Sequence, residues 1–449
     1  MKKIFQYIML AVVTIVMASC TSDIEETTAT TGKNNIQLVV GEFPAFGDSQ
    51  TRAIGTPDEG KTSWAEGDEL LLEIDNTSYG RHNATFTYNG KSWELTSGEL
   101  VYLEGDPAYI PHVYYAPNYK WEAGKLFLKK GKVAGTDELI EGKARITGNG
   151  ETITVSFAEA TRKYSRLRIA TLPNEQITVD TEYFTPAGSS DMEQNGNYTL
   201  TSDEKGNAYL YGTFDNNSIV TVKYRGASLA THKFSKKTEN AKSYALDATV
   251  ISANSAEEIK SAIEQKVADG KTTIRLNLAP NAGTDEFMAI REAIKGAAPN
   301  DEGTIELTII GVETIPEEAF KRMSQLKSVK MPDVKEIKKY AFSECQYLTV
   351  VEAPSLNKLN SGAFNECYLL SKLTFGPINY ADARYWQIFE DITPNIDLIL
   401  SDYQKEMIET DDNLYTANND IDYADSNKHW NKNFLGREFK SITCRFKVE

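Results

Sequence analysis

Reactive side chains are scarce in this sequence, which holds four histidines and four cysteines in 449 residues. His82, His112, His232 and His429 fall in unrelated segments. None has a nucleophile or carboxylate at the spacing that lets an imidazole act as a general base. The glycine-framed serine, the paired-histidine zinc motif and the glycine loops that cradle phosphate or dinucleotides are missing. The cysteines form no CxxC pair and no Cys/His spacing suited to zinc. Asp420, Asp422 and Asp425 put alternate carboxylates within reach of one calcium ion. They lack the twelve-residue frame and bidentate glutamate of an EF-hand, and read as a solvated loop. No catalytic residue, metal or cofactor is expected, and the chain reads as a non-enzyme.

Cys20 is the one side chain whose surroundings point to a definite modification. Lys2 and Lys3 precede an apolar run from Ile4 to Val16, followed by Met17-Ala18-Ser19-Cys20. A basic start, a short apolar stretch and small residues make a secretory signal, too short to span a bilayer. Ending on cysteine, the segment resembles a bacterial lipobox, with Met17 where leucine is usual. The resemblance implies cleavage before Cys20, which closes a signal peptide at 1–19, and acylation of the new terminus. Residues 20–34 are small and polar and read as a flexible tether. Within them Asp23, Glu25 and Glu26 resemble the acidic export tag of lipoproteins displayed outside some Gram-negative cells. The expected location is therefore the outer membrane, lipid-anchored and exposed at the cell surface. Removing residues 1–19 takes the formal charge from −16 to −18. So acidic a chain repels nucleic acid and anionic headgroups, leaving the anchor as its only membrane contact.

The elements between residues 35 and 250 are short alternating stretches bounded by turn residues. Among them are Asp68–Ile74, Tyr109–Tyr115, Thr152–Phe157, Leu167–Leu172, Ala208–Phe214 and Ile219–Tyr224. Asn149-Gly150 and Asp203–Asn207 read as hairpin turns. This pattern predicts tandem all-β sandwiches over 35–157 and 158–250. Thr51-Arg52-Ala53, Trp64-Ala-Glu-Gly-Asp68, Tyr114-Tyr-Ala-Pro117 and Tyr164–Ile169 together resemble the fimbrillin family of lipoprotein pilins. The resemblance implies proteolytic maturation after Arg52, freeing a groove that accepts a donor strand from another fimbrial subunit. A stalk pilin would end near its second sandwich, whereas this chain continues to Glu449. A tip or free-standing role follows more readily than one in mid-stalk.

Residues 251–449 carry a different pattern. Ser255-Ala-Glu-Glu258 is a capping box opening a helix, Thr273–Leu278 reads as a strand, Glu286–Ile294 as a helix and Thr304–Ile310 as a strand. Three copies of one hexad then recur 22 residues apart: Ile315–Phe320, Ile337–Phe342 and Leu359–Phe364. Met323, Cys345 and Cys367 keep the register, as do Val329, Val351 and Leu373. A period in the twenties signals a solenoid whose coils bury their apolar faces only against one another. These copies resemble the BspA-type leucine-rich repeats of bacterial surface antigens over 304–378. The resemblance implies an α/β leucine-rich-repeat solenoid, with Ala-Phe closing a tight helical turn on the convex side. Cys345 and Cys367 either stack as small apolar residues or bridge adjacent coils. Asn395–Leu400 reads as a closing strand, with Trp430, Phe434 and Phe439 capping the last coil.

If Val329 and Met331 point inward, Ser328 and Lys330 point out of the concave sheet. Their equivalents are Glu306 and Thr308, Val350 and Glu352, and Lys372 and Thr374. This row mixes both charge signs and contains no aromatic ring. It suits a protein edge better than a sugar platform. The expected role is adhesion to a protein or glycan on host or neighbouring cells. The rival expectation is an accessory or tip subunit of a fimbria.

Overall fold

The computed structural model describes residues 37–44, 46–48, 61–77, 80–99, 108–147, 152–157, 162–253, 255–378 and 395–401, with short pieces at 380–381, 388–389, 392, 433–434 and 437–446. Cys20, Arg52, His429, Trp430 and the acidic stretch 418–425 lie outside these residues. The chain is β-rich and divides into two compact units, one of residues 1–47 and 58–163, the other of 48–57 and 164–449.

In the first unit seven strands follow one hydrogen-bonded path: Gln37–Val40, Thr152–Ser156, Ile140–Thr147, Ala108–Tyr115, Glu69–Asn76, Gly80–Tyr88 and Trp93–Gly98. Strand alternation sends Leu70, Leu72, Ile74, Phe86, Val113, Ile153 and Val155 into one core. Leu38 from one edge and the partly buried Trp93 from the other both join it, so the sheet curls until its edges share a core. Register shifts at Glu73/Asp75 and Thr85/Phe86 supply local bends. Thr147 pairs with Thr152 and Ile146 with Ile153, making the expected hairpin around Asn149-Gly150, although its turn lies outside the described residues. The segment after the first strand is clamped by Arg162, which is fully buried. Its guanidinium donates to both Glu138 carboxylate oxygens at 3.1 Å and to the Pro44 carbonyl at 2.7 Å, and stacks 3.9 Å over the Phe46 ring.

The second unit begins with a sheet built on one strand, Asn207–Tyr224, of 18 residues. Its first part pairs with Ser165–Ala170, its second with Ala227–Lys233, and Gln176–Pro186 runs along both. The two separate strands expected over 208–214 and 219–224 are thus one. Positive φ at Asn217 (71°) and Tyr183 (56°) lets both chains kink beside a shared register shift. The turn at 203–207 forms, with Asp203 Oδ1 accepting from the Lys205 and Asn207 amides. It is not a hairpin, because Tyr198 pairs with Val179 whereas Ala208 pairs with Ile169. The reason is close docking. The Thr171 amide donates to the Gly206 carbonyl, and a Cβ at Gly206 would sit 2.5 Å from the Thr171 oxygen.

From Ile251 onward the chain lays down eight parallel strands in one sheet. They are Ile251–Ser252, Thr273–Asn277, Ile305–Ile310, Leu326–Lys330, Val350–Ala353, Lys372–Phe375, Asp397–Ser401 and Ser441–Phe446. Helices α1 (Ala256–Ala268) and α2 (Thr284–Ala297) connect the first three. Ser255 caps α1 by accepting from the Glu258 amide at 3.2 Å. A second, narrower parallel sheet links Thr314–Ile315, Glu336–Ile337, Lys358–Leu359 and Tyr380–Ala381. The two sheets enclose an apolar core in which Phe320, Phe342, Phe364 and Phe389 stack with centroids 5.2, 5.4 and 5.9 Å apart.

The Ala-Phe turn is not helical. Left-handed residues recur at Glu318, Tyr340 and Gly362 and again at Arg322, Glu344 and Glu366, which breaks any helical run. Alternate amides point along the stack instead: Phe320 N donates to Ala341 O at 2.7 Å and Phe342 N to Ala363 O at 2.9 Å. Each turn therefore satisfies about half of its amides on its neighbour, as strands do, and the rest within itself, as Met323 N does on Phe320 O. The final strand, Ser441–Phe446, was not foreseen. It pairs with Asp397–Ser401, and Phe439 just before it is buried against Phe389.

Cys345 and Cys367 are free thiols buried in this core. Their sulfurs donate to the carbonyls of Phe320 (3.0 Å) and Phe342 (3.1 Å) in the preceding coil, which favours hydrogen bonding over a bridge. Burial pushes the Cys345 thiol up to about 12 from 9.0 and raises that of Cys367 as well. Both should resist a thiol reagent in the native chain at pH 8 and react at once in denaturant. Because the folded values lie above the unfolded ones, these thiols leave stability untouched below about pH 8.5 and reduce it as pH rises toward 12. In the first unit, Arg162→Ala leaves the Glu138 charge buried alone and should cost about 3–5 kcal/mol. Hydrogen exchange of the 140–147 amides should report that loss, and R162M/E138M should recover much of it.

Candidate binding face

In a parallel sheet, residues opposite one another on successive strands share a face, so the 22-residue period becomes rows of side chains. One row runs Thr273, Glu306, Ser328, Val350, Lys372, Asp397 and Ser441. The next runs Arg275, Thr308, Lys330, Glu352, Thr374, Ile399 and Thr443. All eight residues expected on the outward face lie in these rows. Inward neighbours Leu307, Val329, Val351 and Leu373 are buried in the core.

Seven of the eight are half-buried, and Thr308 is the exception at 5 % exposure. The expectation that Thr308 stands open on the outward face is thereby corrected. Several charges along the rows meet opposite charges beside them. Lys330 lies 3.6 Å from Glu352, and Lys327, the bulged residue before Ser328, lies 2.7 Å from Glu306. Farther along, Asp397 accepts from Ser441 Oγ at 2.6 Å and pairs with Lys440 at 3.3 Å. The same pairing across one period occurs away from this face, in Arg322–Glu344, Lys335–Glu313 and Lys358–Glu336. These exposed pairs contribute little stability each, but they leave the sheet with no strong field of either sign.

Thr308 is covered because residues 227–249 approach the start of the sheet. Arg275 Nε donates to the Leu229 carbonyl at 2.6 Å, and its Nη1 reaches the Thr249 carbonyl at 3.5 Å. Asp247 accepts from the Thr249 amide and hydroxyl at 2.9 and 2.6 Å, while Lys266 of α1 donates to that hydroxyl at 2.9 Å. Burial lowers the pKa of Arg275 against the opposing pull of Asp247 and Glu306. For Asp247 burial works upward, but the Thr249 bonds and the Lys266 and Arg275 charges outweigh it and hold the carboxyl below its ordinary value. Ile310, from the third strand of the sheet, is buried in the core of residues 167–248. The boundary expected at residue 250 therefore does not separate two independent bodies. None of this was readable locally, since Arg275 and Leu229 are 46 positions apart and neither sits in a motif.

None of the three described histidines stands in these rows. His112 packs on Tyr114 and Trp121, with centroids 5.8 and 4.9 Å away, and His232 meets the Phe234 ring edge-on at 4.7 Å. His82 stands on the strand Gly80–Tyr88 of the first unit. Among the described residues no group of three or more His, Cys, Asp or Glu side chains is placed to hold a metal ion.

Arg275→Met should leave the sheet intact but release residues 227–233 from it. Hydrogen exchange should speed up at Leu229 and Ala230 while the amides of Val329 and Val351 stay protected, with a loss of about 1.5–3 kcal/mol for the charge-assisted bond.

No curated protein matches the chain. Residues 304–402 match the BspA type leucine rich repeat region in six copies, extending past the three copies and the 304–378 limit expected from the hexads. Those residues are a BspA-type leucine-rich-repeat region.

Proposed function

We propose that this is a cell-surface recognition protein, held in the outer membrane by acylated Cys20 and presenting a leucine-rich-repeat solenoid on a fimbrillin-like β-rich stalk. The observation that carries the reading is the outward face of the repeat sheet. Its two continuous rows of mostly polar, mostly half-buried side chains cross every coil, in repeats of a type associated with surface and adhesion proteins. The rows bring together hydroxyls and paired charges without a nucleophile–base pair, so they suit binding rather than bond making. The ligand is a protein or glycan on host or neighbouring cells. The acidic chain disfavours nucleic acid. Protease shaving of intact cells should remove the repeat region, and survival on intact cells with loss after lysis would contradict surface display. Mass spectrometry of the membrane fraction should find an amino terminus at acylated Cys20.

A second reading, an accessory or tip subunit of a fimbria, draws on one feature of the first unit. Gln37–Val40 precedes Arg52 in the chain and forms a parallel edge strand on Thr152–Val155, with Leu38 buried. Cleavage after Arg52 would detach that strand from the chain and could free a ladder edge for another subunit. An amino terminus at Ala53 in material sheared from cells would favour this reading over the free-standing one.

A further inference from the structure

Where residues 228–231 and 246–247 approach the first strands of the repeat sheet, they leave a cleft of about 370 Å³. Its polar wall includes Asp247, Arg275, Glu306, Thr308, Ser328 and Lys330. We propose that this cleft is a saccharide site that takes one or two neutral sugar residues edge-on; the proposal rests on the recognition reading above and gives it a ligand class.

Four observations select that chemistry. The volume falls at the small end of ligand pockets, about 300–1,000 Å³, and suits a sugar unit rather than a folded partner. Thr308 is 5 % exposed and lines the cleft; among the described residues its hydroxyl makes no hydrogen bond, and its oxygen is open to the cleft rather than sealed in the core. A hydroxyl presented to a cleft in this way is matched by a ligand group that both donates and accepts. The two cations and two carboxylates on the wall cancel, and Lys330 and Glu306 are already paired with Glu352 and Lys327. A neutral ligand is favoured, since a charged one would find no unopposed counter-charge.

An extended peptide is disfavoured by the remaining wall. Ala227–Lys233 pairs on one side only, with Asn207–Tyr224, so its other edge could in principle accept a strand. Leu229 is bulged out of register there, and Arg275 occupies its carbonyl. Bulges and inserted charges are how an edge is closed to strand addition. No aromatic ring lines the cleft, so a sugar is held by hydrogen bonds from its hydroxyls rather than by stacking.

The test uses the mature full-length chain on an array of neutral glycans, followed by titration of the best hit. Thr308→Val keeps the shape and removes the hydroxyl, and should weaken binding about three- to tenfold, the worth of one hydrogen bond. Thr314→Val, on the narrow sheet and outside both outward rows, should change nothing. T308V binding as tightly as the unaltered chain overturns the cleft as the site. In parallel, labelled chain is applied to epithelial cells before and after mild periodate oxidation of their glycans. Binding lost on oxidation supports the saccharide. Binding that survives identifies a protein ligand, which overturns this proposal and leaves the recognition reading standing. A chain that binds neither array nor cells overturns both.

Discussion

The architecture of the repeat region depends on one constraint: a coil of 22 residues cannot bury its apolar side alone. Each coil satisfies its backbone and its side chains on the next. Phe320, Phe342 and Phe364 stack nearly parallel, with interplanar angles of 19° and 8°, while alternate amides of the turns carrying them bond from coil to coil. The same translation that stacks the rings must stack the outward side chains. A binding face of continuous rows is therefore a by-product of core packing, and its spacing is set by the ladder rather than by any ligand.

That constraint also explains the placing of charge and thiol. Positions 22 apart become neighbours, so like charges there would repel. Opposite signs meet at Arg322–Glu344, Glu313–Lys335 and Glu336–Lys358, although Glu344 and Glu366 place like charges one period apart. Cys345 and Cys367 sit one period apart for a related reason. A small side chain fits against the preceding Phe carbonyl, and the thiol can donate to it where alanine could not. In the first unit the organising contact is different in kind. Arg162, buried with Glu138 and stacked on Phe46, ties the segment after the first strand to the sheet by charge and ring contact rather than by repetition.

Expectation and structure part where a local signal is reused for another purpose. Asp203–Asn207 has hairpin chemistry and makes its turn, but Gly206 docks against Thr171, and the strands leaving the turn take different partners. The resemblance to BspA-type repeats implies a helical turn at Ala-Phe. Yet there every second amide bonds to the next coil, as Phe320 does to Ala341 and Phe342 to Ala363, while those between make only local three-residue turns. Ser441–Phe446 was missed because its partner, Asp397–Ser401, lies some 40 residues back with no repeat to announce it. By contrast, Ser255 capping α1 and the Asn149-Gly150 hairpin strands were legible, since both are settled within a few residues.

The sequence by itself determined the period, the inward and outward alternation and the membership of the two outward rows, because these follow from residue spacing and a fixed pleat. Only the tertiary structure decided which part of that face is enclosed. Thr308, Lys330, Glu352 and Thr374 are equivalent by register, yet only Thr308 is nine-tenths buried, because Arg275 draws the Leu229 carbonyl toward the start of the sheet. That contact joins segments 46 positions apart, and its burial and charge balance exist only once both are folded.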